Sequence, residues 1–160
     1  MQAKKKQAAK VVEAFDLRLI DWFKQYYVPI ARVAIFIVYF YFGILKIFDL
    51  SPASPLAIAL TQKTIGYQYF DAAFMTLAVV ECIIGILFLI PRATRAVVPL
   101  LLAHMVMVCS PLILVPHMAW EGFLVPSLEG QYIIKNIAIV ALAIGIAAQV
   151  RPLAHNNRSK

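Results

Sequence analysis

Two ionisable residues, Glu81 and His104, lie inside long apolar runs, where a charged side chain is costly and its presence suggests a function. At a helical rise of ~1.5 Å per residue, each lies about 15 Å along its own run. Because consecutive runs would cross a bilayer in opposite directions, the two side chains should reach nearly the same depth, close to the midplane. A carboxylate at that depth must find a cation or hold a proton.

Two lysines lie near the ends of other apolar runs and could supply that cation. Lys46 lies about 27 Å along the first run, and Lys135 lies about one turn into the fourth. Both are expected near the outer surface, where a lysine can extend to the surface or reach about a turn down towards Glu81. Glu81 is therefore expected to face the bundle interior within reach of His104, Lys46 or Lys135, and these groups should line one polar pocket.

Helical spacing predicts which other residues face that interior. Glu81 and Gly85 are four residues apart and share a face. Polar and small residues share a face in each of the other three runs. These sets are Arg32, Tyr39, Gly43 and Lys46 in the first run; His104, Met107 and Pro111 in the third; and Gln131, Lys135, Ala138, Leu142 and Gly145 in the fourth. Pro111 is expected to bend its helix just above His104.

Simpler explanations exist for the same residues. Glu81 could pair with Lys46 or His104 only to hold helices together, and a packing role for His104 is favoured over metal ligation because no second histidine lies at ligand spacing. Cys82 and Cys109 lack the C-x-x-C spacing of a zinc or redox site, so they are expected to be small buried hydrophobic residues.

The composition indicates what kind of element positions these residues. Of 160 residues, 62% are hydrophobic and 14% are charged, and the mean hydropathy is +0.81, which excludes an ordinary soluble domain. Long apolar runs favour membrane-spanning helices over the alternating strands of a barrel. The net charge of +7 comes largely from basic residues at the ends of these runs, so it indicates orientation in a bilayer rather than a nucleic-acid partner.

The predicted architecture is an all-α integral membrane protein, a four-transmembrane-helix bundle with an N-terminal amphipathic interfacial helix. A basic amphipathic helix is expected over residues 1–27, the bundle over 28–150 and a basic cytoplasmic tail over 151–160. Pro29 is expected near the start of a new helix, and a short helix lying flat on the outer face should run from Ser54 to Thr61. The spans are predicted at Val28–Leu50, Asp71–Ile90, Thr94–Val115 and Tyr132–Val150.

The positions of lysine and arginine predict the orientation of these spans. The N-terminal segment, the turn with Arg92 and Arg95, and the tail are basic, whereas the two remaining connections contain only Lys63. This alternation places both termini in the cytoplasm of a multi-pass inner-membrane protein.

Three segments resemble the DoxX-like family of small four-helix membrane proteins. The run from Arg32 through Gly43 to Lys46 resembles the family's first span, and the run from Glu81 through Gly85 to Arg92 resembles its second span and following turn. The sequence from Glu129 to Asn136, EGQYIIKN, is similar to the start of the fourth span in the branch related to the reactive-chlorine-resistance membrane protein. The resemblance covers residues 29–150.

This resemblance implies a four-helix bundle that serves a redox or oxidative-stress system, as does the family's subunit of a thiosulfate:quinone oxidoreductase. It implies roles for Arg32, Lys46, Glu81, Glu129 and Lys135. With the residues chosen by position, the pocket or ligand-binding candidates are Arg32, Tyr39, Lys46, Glu81, His104, Glu129, Gln131, Lys135 and Asn136. No catalytic residue and no metal site is assigned.

No cofactor is assigned, but the pocket could bind a quinone head group, with its carbonyls accepting from Lys46, Lys135 or His104 and with Glu81 handling a proton. The sequence contains no haem-ligand pair or redox cysteine pair, so a non-catalytic accessory subunit with a partner membrane or redox protein is favoured over an enzyme. A small proton-coupled transporter using Glu81, and a structural or assembly subunit without a ligand, are the alternatives.

Overall fold

The computed structural model describes residues 2–151 and has four helical segments that are long and apolar enough to cross a membrane. They are Lys10–Ile47, Tyr67–Phe88, Pro91–Leu114 and Leu128–Ala148. The fold is all-α apart from one short hairpin, so the predicted four-helix membrane bundle is confirmed. Large apolar side chains also cover the outside of the bundle, where a bilayer would solvate them; examples are Ile37, Ile83, Val106, Ile137 and Ile144.

The chain forms eight α-helices and two short strands within the described residues. In chain order these are α1 (Gln2–Ile47), α2 (Ser54–Thr64), α3 (Phe70–Phe88), α4 (Thr94–Cys109), α5 (Pro111–Leu114), α6 (Pro116–Ala119), β1 (Trp120–Gly122), β2 (Val125–Pro126), α7 (Leu128–Ile134) and α8 (Asn136–Ala148). Two 3₁₀ turns, Tyr67–Tyr69 and Pro91–Ala93, lead into α3 and α4.

Helix α1 continues without interruption through the point where two helices were expected. Pro29 lies inside it rather than near the start of a new helix, so that expectation is wrong. A proline removes one backbone hydrogen bond, and no glycine or turn sequence beside it adds a second disruption. Residues 11–27 are exposed on every face, including the apolar side chains of Val12, Phe15 and Trp22. Their placement in the membrane interface stays a prediction.

Helices α1 and α3 form the most extensive contact in the molecule and run antiparallel. A Cβ atom on Gly43 would lie 2.6 Å from Cys82 Sγ and 2.9 Å from the Ala78 carbonyl oxygen. A Cβ on Gly85 would lie 3.0 Å from the Phe40 backbone nitrogen. The two glycines therefore let the helix backbones approach closely, as small residues do in membrane bundles.

The apolar core joins α1 and α3 to α4 and α8. Its fully buried side chains include Ile35, Ile84, Phe88, Leu101 and Ile146. At the C-terminal end of α4, Ser110 separates this helix from α5, which begins at Pro111. The backbone of Ser110 is itself helical, with φ −57° and ψ −31°, so the bend expected above His104 stays a prediction.

The connection between α4 and α7 ends in a small hairpin of β1 and β2. The Trp120 indole nitrogen donates to the Leu112 carbonyl oxygen at 2.9 Å, and Ser127 Oγ caps α7 by accepting from the Gly130 backbone nitrogen at 3.1 Å. These bonds attach the connection to the end of the bundle. The predicted tail lies outside the described residues except for Arg151.

Candidate functional site

The centre of the bundle contains an ion pair between α1 and α3. Lys46 Nζ lies 2.6 Å from Glu81 Oε2, and both side chains are buried. The prediction that Glu81 finds a cation inside the bundle is therefore confirmed. Lys46 lies one turn beyond Gly43 on α1, and Gly43 packs against Ala78 and Cys82 of α3. The register of α1 against α3, in which Gly43 packs on Ala78 and Cys82, places Lys46 within reach of Glu81.

His104 on α4 extends this pair into a row of four polar side chains. Its Nε2 atom lies 3.6 Å from Glu81 Oε1, and its Nδ1 atom lies 3.3 Å from the Tyr39 hydroxyl. Tyr39 and His104 are 4% and 6% exposed, so neither exchanges its partners freely with water. Two of the members, Lys46 and Tyr39, come from α1, and the others come from α3 and α4. We call these four residues the polar cluster.

The polar cluster leaves one hydrogen-bonding atom unsatisfied. Among the described residues, His104 Nε2 is buried and has no hydrogen-bond partner within normal distance. An unpartnered buried polar atom of this kind costs about 1–3 kcal/mol. If the ring proton is on Nε2, the Tyr39 hydroxyl can donate to Nδ1, and the Nε2 proton is directed towards the Glu81 carboxylate. Nε2 and Glu81 Oε1 are 3.6 Å apart, so the contact between His104 and Glu81 is not a hydrogen bond.

An apolar groove of about 560 Å³ lies along α3, with Met107 of α4 also in its lining. Leu77 lies one turn before Glu81 on α3, Val80 immediately precedes Glu81, and Met107 lies one turn beyond His104 on α4. These three residues are neighbours of the cluster along their helices, but none of the four cluster residues lines the groove. The groove is lined by Ile65, Tyr69, Ala72, Ala73, Thr76, Leu77, Val80 and Met107.

Arg32 occupies a second polar site, near the other end of the bundle. It donates from Nη1 to the Phe88 carbonyl oxygen at 2.9 Å and from Nη2 to Thr94 Oγ1 at 2.6 Å. The Thr94 hydroxyl in turn donates to the Pro91 carbonyl oxygen at 2.7 Å. Arg32 therefore holds the end of α3 and the start of α4 together. It shares a face with Tyr39 and Lys46, as predicted, but it does not belong to the polar cluster.

The candidates from the start of the fourth span also lie outside the polar cluster. Lys135 is exposed, with Nζ 3.8 Å from the centroid of the Tyr132 ring, so its expected position beside Glu81 is not observed. Gln131 is exposed, whereas Glu129 in the first turn of α7 and Asn136 at the start of α8 are half-buried. The EGQYIIKN segment therefore forms a separate polar surface.

Two of the predicted helix faces are incorrect in part. In the fourth span, the buried residues are Gly130, Ile133, Ala143 and Ile146 rather than the stripe through Gln131 and Lys135. The residues of α8 are apolar on every side of the helix, so the sequence pattern does not show which side faces inward. In α4, His104 is buried but Met107 is 46% exposed and faces the groove.

Thr94 is the member of these sites that spacing did not identify. Its only sequence signal is its position three residues after Pro91, where a threonine hydroxyl can bond the preceding backbone. Cys82 and Cys109 are free and partly buried, and Cys82 Sγ lies 3.9 Å from the Phe40 carbonyl oxygen. The described residues contain no group of three or more histidine, cysteine, aspartate or glutamate side chains placed to hold a metal ion.

The sequence and fold were compared with known protein families, curated proteins and solved structures, and none of the three comparisons finds a match.

Proposed function

We propose that this chain binds a small lipid-soluble molecule of the quinone class at the polar cluster. In this proposal it acts as a non-catalytic accessory subunit of a redox or oxidative-stress system in the inner membrane. The DoxX-like resemblance supplies the redox context, and the geometry of Tyr39, Lys46, Glu81 and His104 supplies the binding chemistry.

The unpartnered His104 Nε2 atom is the observation that carries the proposal. A quinone carbonyl is a hydrogen-bond acceptor, so an Nε2 proton would have a partner once the ligand was bound. The ammonium group of Lys46 and the hydroxyl of Tyr39 are further donors in the same row. Glu81 next to His104 could then take or supply the proton that accompanies a change in the quinone's reduction state.

The groove supports a ligand that arrives from the bilayer. Its walls are almost entirely apolar, which suits an isoprenoid tail better than a soluble metabolite. In this arrangement the tail lies along Ala73, Leu77 and Met107, and the head group reaches towards the polar cluster between α3 and α4.

A partner membrane or redox protein would supply the electrons. The proposal assigns this chain the ligand site and the proton-handling side chains only. Its lipid-facing surface is the natural contact for such a partner within the membrane.

Binding of a decyl-tailed benzoquinone to the purified protein tests the proposal. We expect H104F to weaken binding at least tenfold, because the variant loses the ring nitrogen that contacts the carbonyl, and Y39F to weaken it less. Tyr41 is exposed on the same helix, so Y41F is the matched control and should bind as the wild type does. Equilibrium dialysis in detergent, together with analysis of quinone in organic extracts of the protein, provides the measurement.

Three results would contradict the quinone site. Unchanged binding in both H104F and Y39F would remove the polar cluster as the head-group site. Glu81-dependent flux of a solute in proteoliposomes would favour the proton-coupled transporter instead. An unchanged phenotype for E81Q, combined with loss of a partner complex when the whole chain is deleted, would favour the structural subunit.

The proposed orientation has both termini in the cytoplasm, and reporter fusions test it. Fusions after Arg95 and after Lys160 should report a cytoplasmic position, and fusions near Lys63 or Glu121 should report an external one, because basic loops stay inside. An external C-terminal fusion would overturn the four-span orientation.

A further inference from the structure

A second cavity, of about 320 Å³, lies between α4 and α8 at the end of the bundle where Arg32 binds Thr94. Its lining has a polar part and an apolar part. Thr94 and Arg95 form the polar part, and Val98, Pro99, Ala147 and Val150 form the apolar part. This cavity is separate from the 560 Å³ groove along α3, because the two share no lining residue.

Several arginine residues lie in or near this cavity. Arg95 lines it and donates to the Arg151 carbonyl oxygen at 2.5 Å, while Arg32 donates to the Thr94 hydroxyl that also lines it. Arg92 lies in the adjoining turn. The four guanidinium groups of Arg32, Arg92, Arg95 and Arg151 thus belong to one end of the bundle.

No acidic group within the described part of the chain balances these arginines by direct contact. Among the side chains that the structure describes, the contacts within 4 Å between basic and acidic groups join Lys46 and His104 to Glu81, and none involves an arginine. Arg32 is itself buried, and its recorded partners are neutral oxygen atoms. A buried or half-buried cation without a counter-charge favours an anionic ligand nearby.

We infer that this cavity binds the anionic head group of a phospholipid, with an acyl chain lying against Val98, Pro99 and Ala147. The phosphate would accept from the Arg95 guanidinium, which matches a phosphate in fork geometry. Arg32, behind Thr94, adds to the positive potential. The apolar walls favour a lipid over a soluble phosphate, because a free anion would leave these walls without an apolar partner.

Lipid binding by the purified full chain tests this inference at ~0.15 M salt, where general surface attraction is screened. Phosphatidylglycerol, phosphatidylcholine with the same acyl chains, and inorganic phosphate are the three probes, and native mass spectrometry measures bound lipid. We expect phosphatidylglycerol to bind at least tenfold more tightly than phosphatidylcholine. Inorganic phosphate should not displace it at equal concentration.

Two variants and one control locate the site. R95Q removes an exposed cavity-lining charge and should weaken phosphatidylglycerol binding about tenfold, whereas R92Q removes an exposed charge outside the cavity and should change it less than about twofold. A147F fills the apolar part and should weaken binding without a change of charge. The unfolding temperature of lipid-free protein checks that each variant is folded.

Several outcomes would overturn the inference. An equal effect of R92Q and R95Q would show general attraction to a basic surface. Wild-type affinity in A147F would exclude the cavity as the site of the acyl chain. Equal affinity for the two lipids would exclude charge recognition, and displacement by inorganic phosphate would show a soluble-anion site in place of a lipid site.

Discussion

Two buried cations on the same face of α1 have partners of different kinds. Lys46 is held by the Glu81 carboxylate inside the bundle, whereas Arg32 is held by a backbone carbonyl and by the Thr94 hydroxyl near one end. The first arrangement pairs opposite charges within the protein and leaves His104 Nε2 without a hydrogen-bond partner. The second leaves a net positive charge beside a cavity. The polar cluster therefore suits an uncharged ligand, and the end of the bundle that contains Arg32 suits an anion.

Removal of the Glu81 carboxylate should have the largest effect on stability. E81L leaves the Lys46 ammonium buried without its counter-charge, which should lower the free energy of unfolding by about 3–5 kcal/mol. E81Q keeps a hydrogen-bonding group, so its cost should be smaller, about 1–3 kcal/mol. Denaturant-induced unfolding in detergent measures both.

E129L is the matched control for the Glu81 variants. Glu129 is half-buried and has no ion-pair partner within 4 Å among the described residues, so its removal should cost less than about 1 kcal/mol. A similar loss in E129L and E81L would mean that the Lys46 pair has no special role.

Removal of the Arg32 guanidinium should have a smaller effect than E81L because no opposite charge is left behind. R32L loses two charge-assisted hydrogen bonds and should lower the free energy of unfolding by about 2–3 kcal/mol. T94V removes one of these bonds and also the bond from the Thr94 hydroxyl to the Pro91 carbonyl oxygen, so it should cost about 1–3 kcal/mol. If R32L were as destabilising as E81L, the contrast between the two cations would fail.

The close approach of α1 and α3 supports both cation sites, and G43A tests it. An added Cβ would meet Cys82 Sγ and the Ala78 carbonyl oxygen, so the helices must separate, at a cost of about 1–3 kcal/mol. G122A is the control, since its Cβ would meet only Val125 at 3.9 Å. Thermal unfolding should separate the two variants, and equal stability would show that the helices adjust freely.

Lys135 should show the smallest effect. Its ammonium group contacts the Tyr132 ring at an exposed site, where a cation–π interaction is worth about 0.5–1 kcal/mol. K135M should therefore reduce stability by no more than this and leave quinone binding unchanged. A tenfold loss of quinone binding in K135M would show that Lys135 contributes to the ligand site.

Spacing predicted the inner face well where polar residues stand out from an apolar background. Arg32, Tyr39 and Lys46 share a buried face of α1, and Glu81 shares one with Gly85 on α3. Each of these charged or polar groups loses water in a bilayer and must turn towards partners, so the sequence carries the information. The same reasoning failed for Lys135, because a lysine near a span's end can also reach the surface or an aromatic ring.

The sequence by itself determined the membrane environment, the number of spans and the need of Glu81 for a partner, because these follow from apolar length and from the cost of a buried charge. Only the tertiary structure decided which partners meet. In it Lys46 pairs with Glu81, His104 contacts Tyr39, and Arg32 lies apart from the polar cluster. Contacts between distant residues depend on helix register and close packing, which Gly43 and Gly85 permit but which no single helical run encodes.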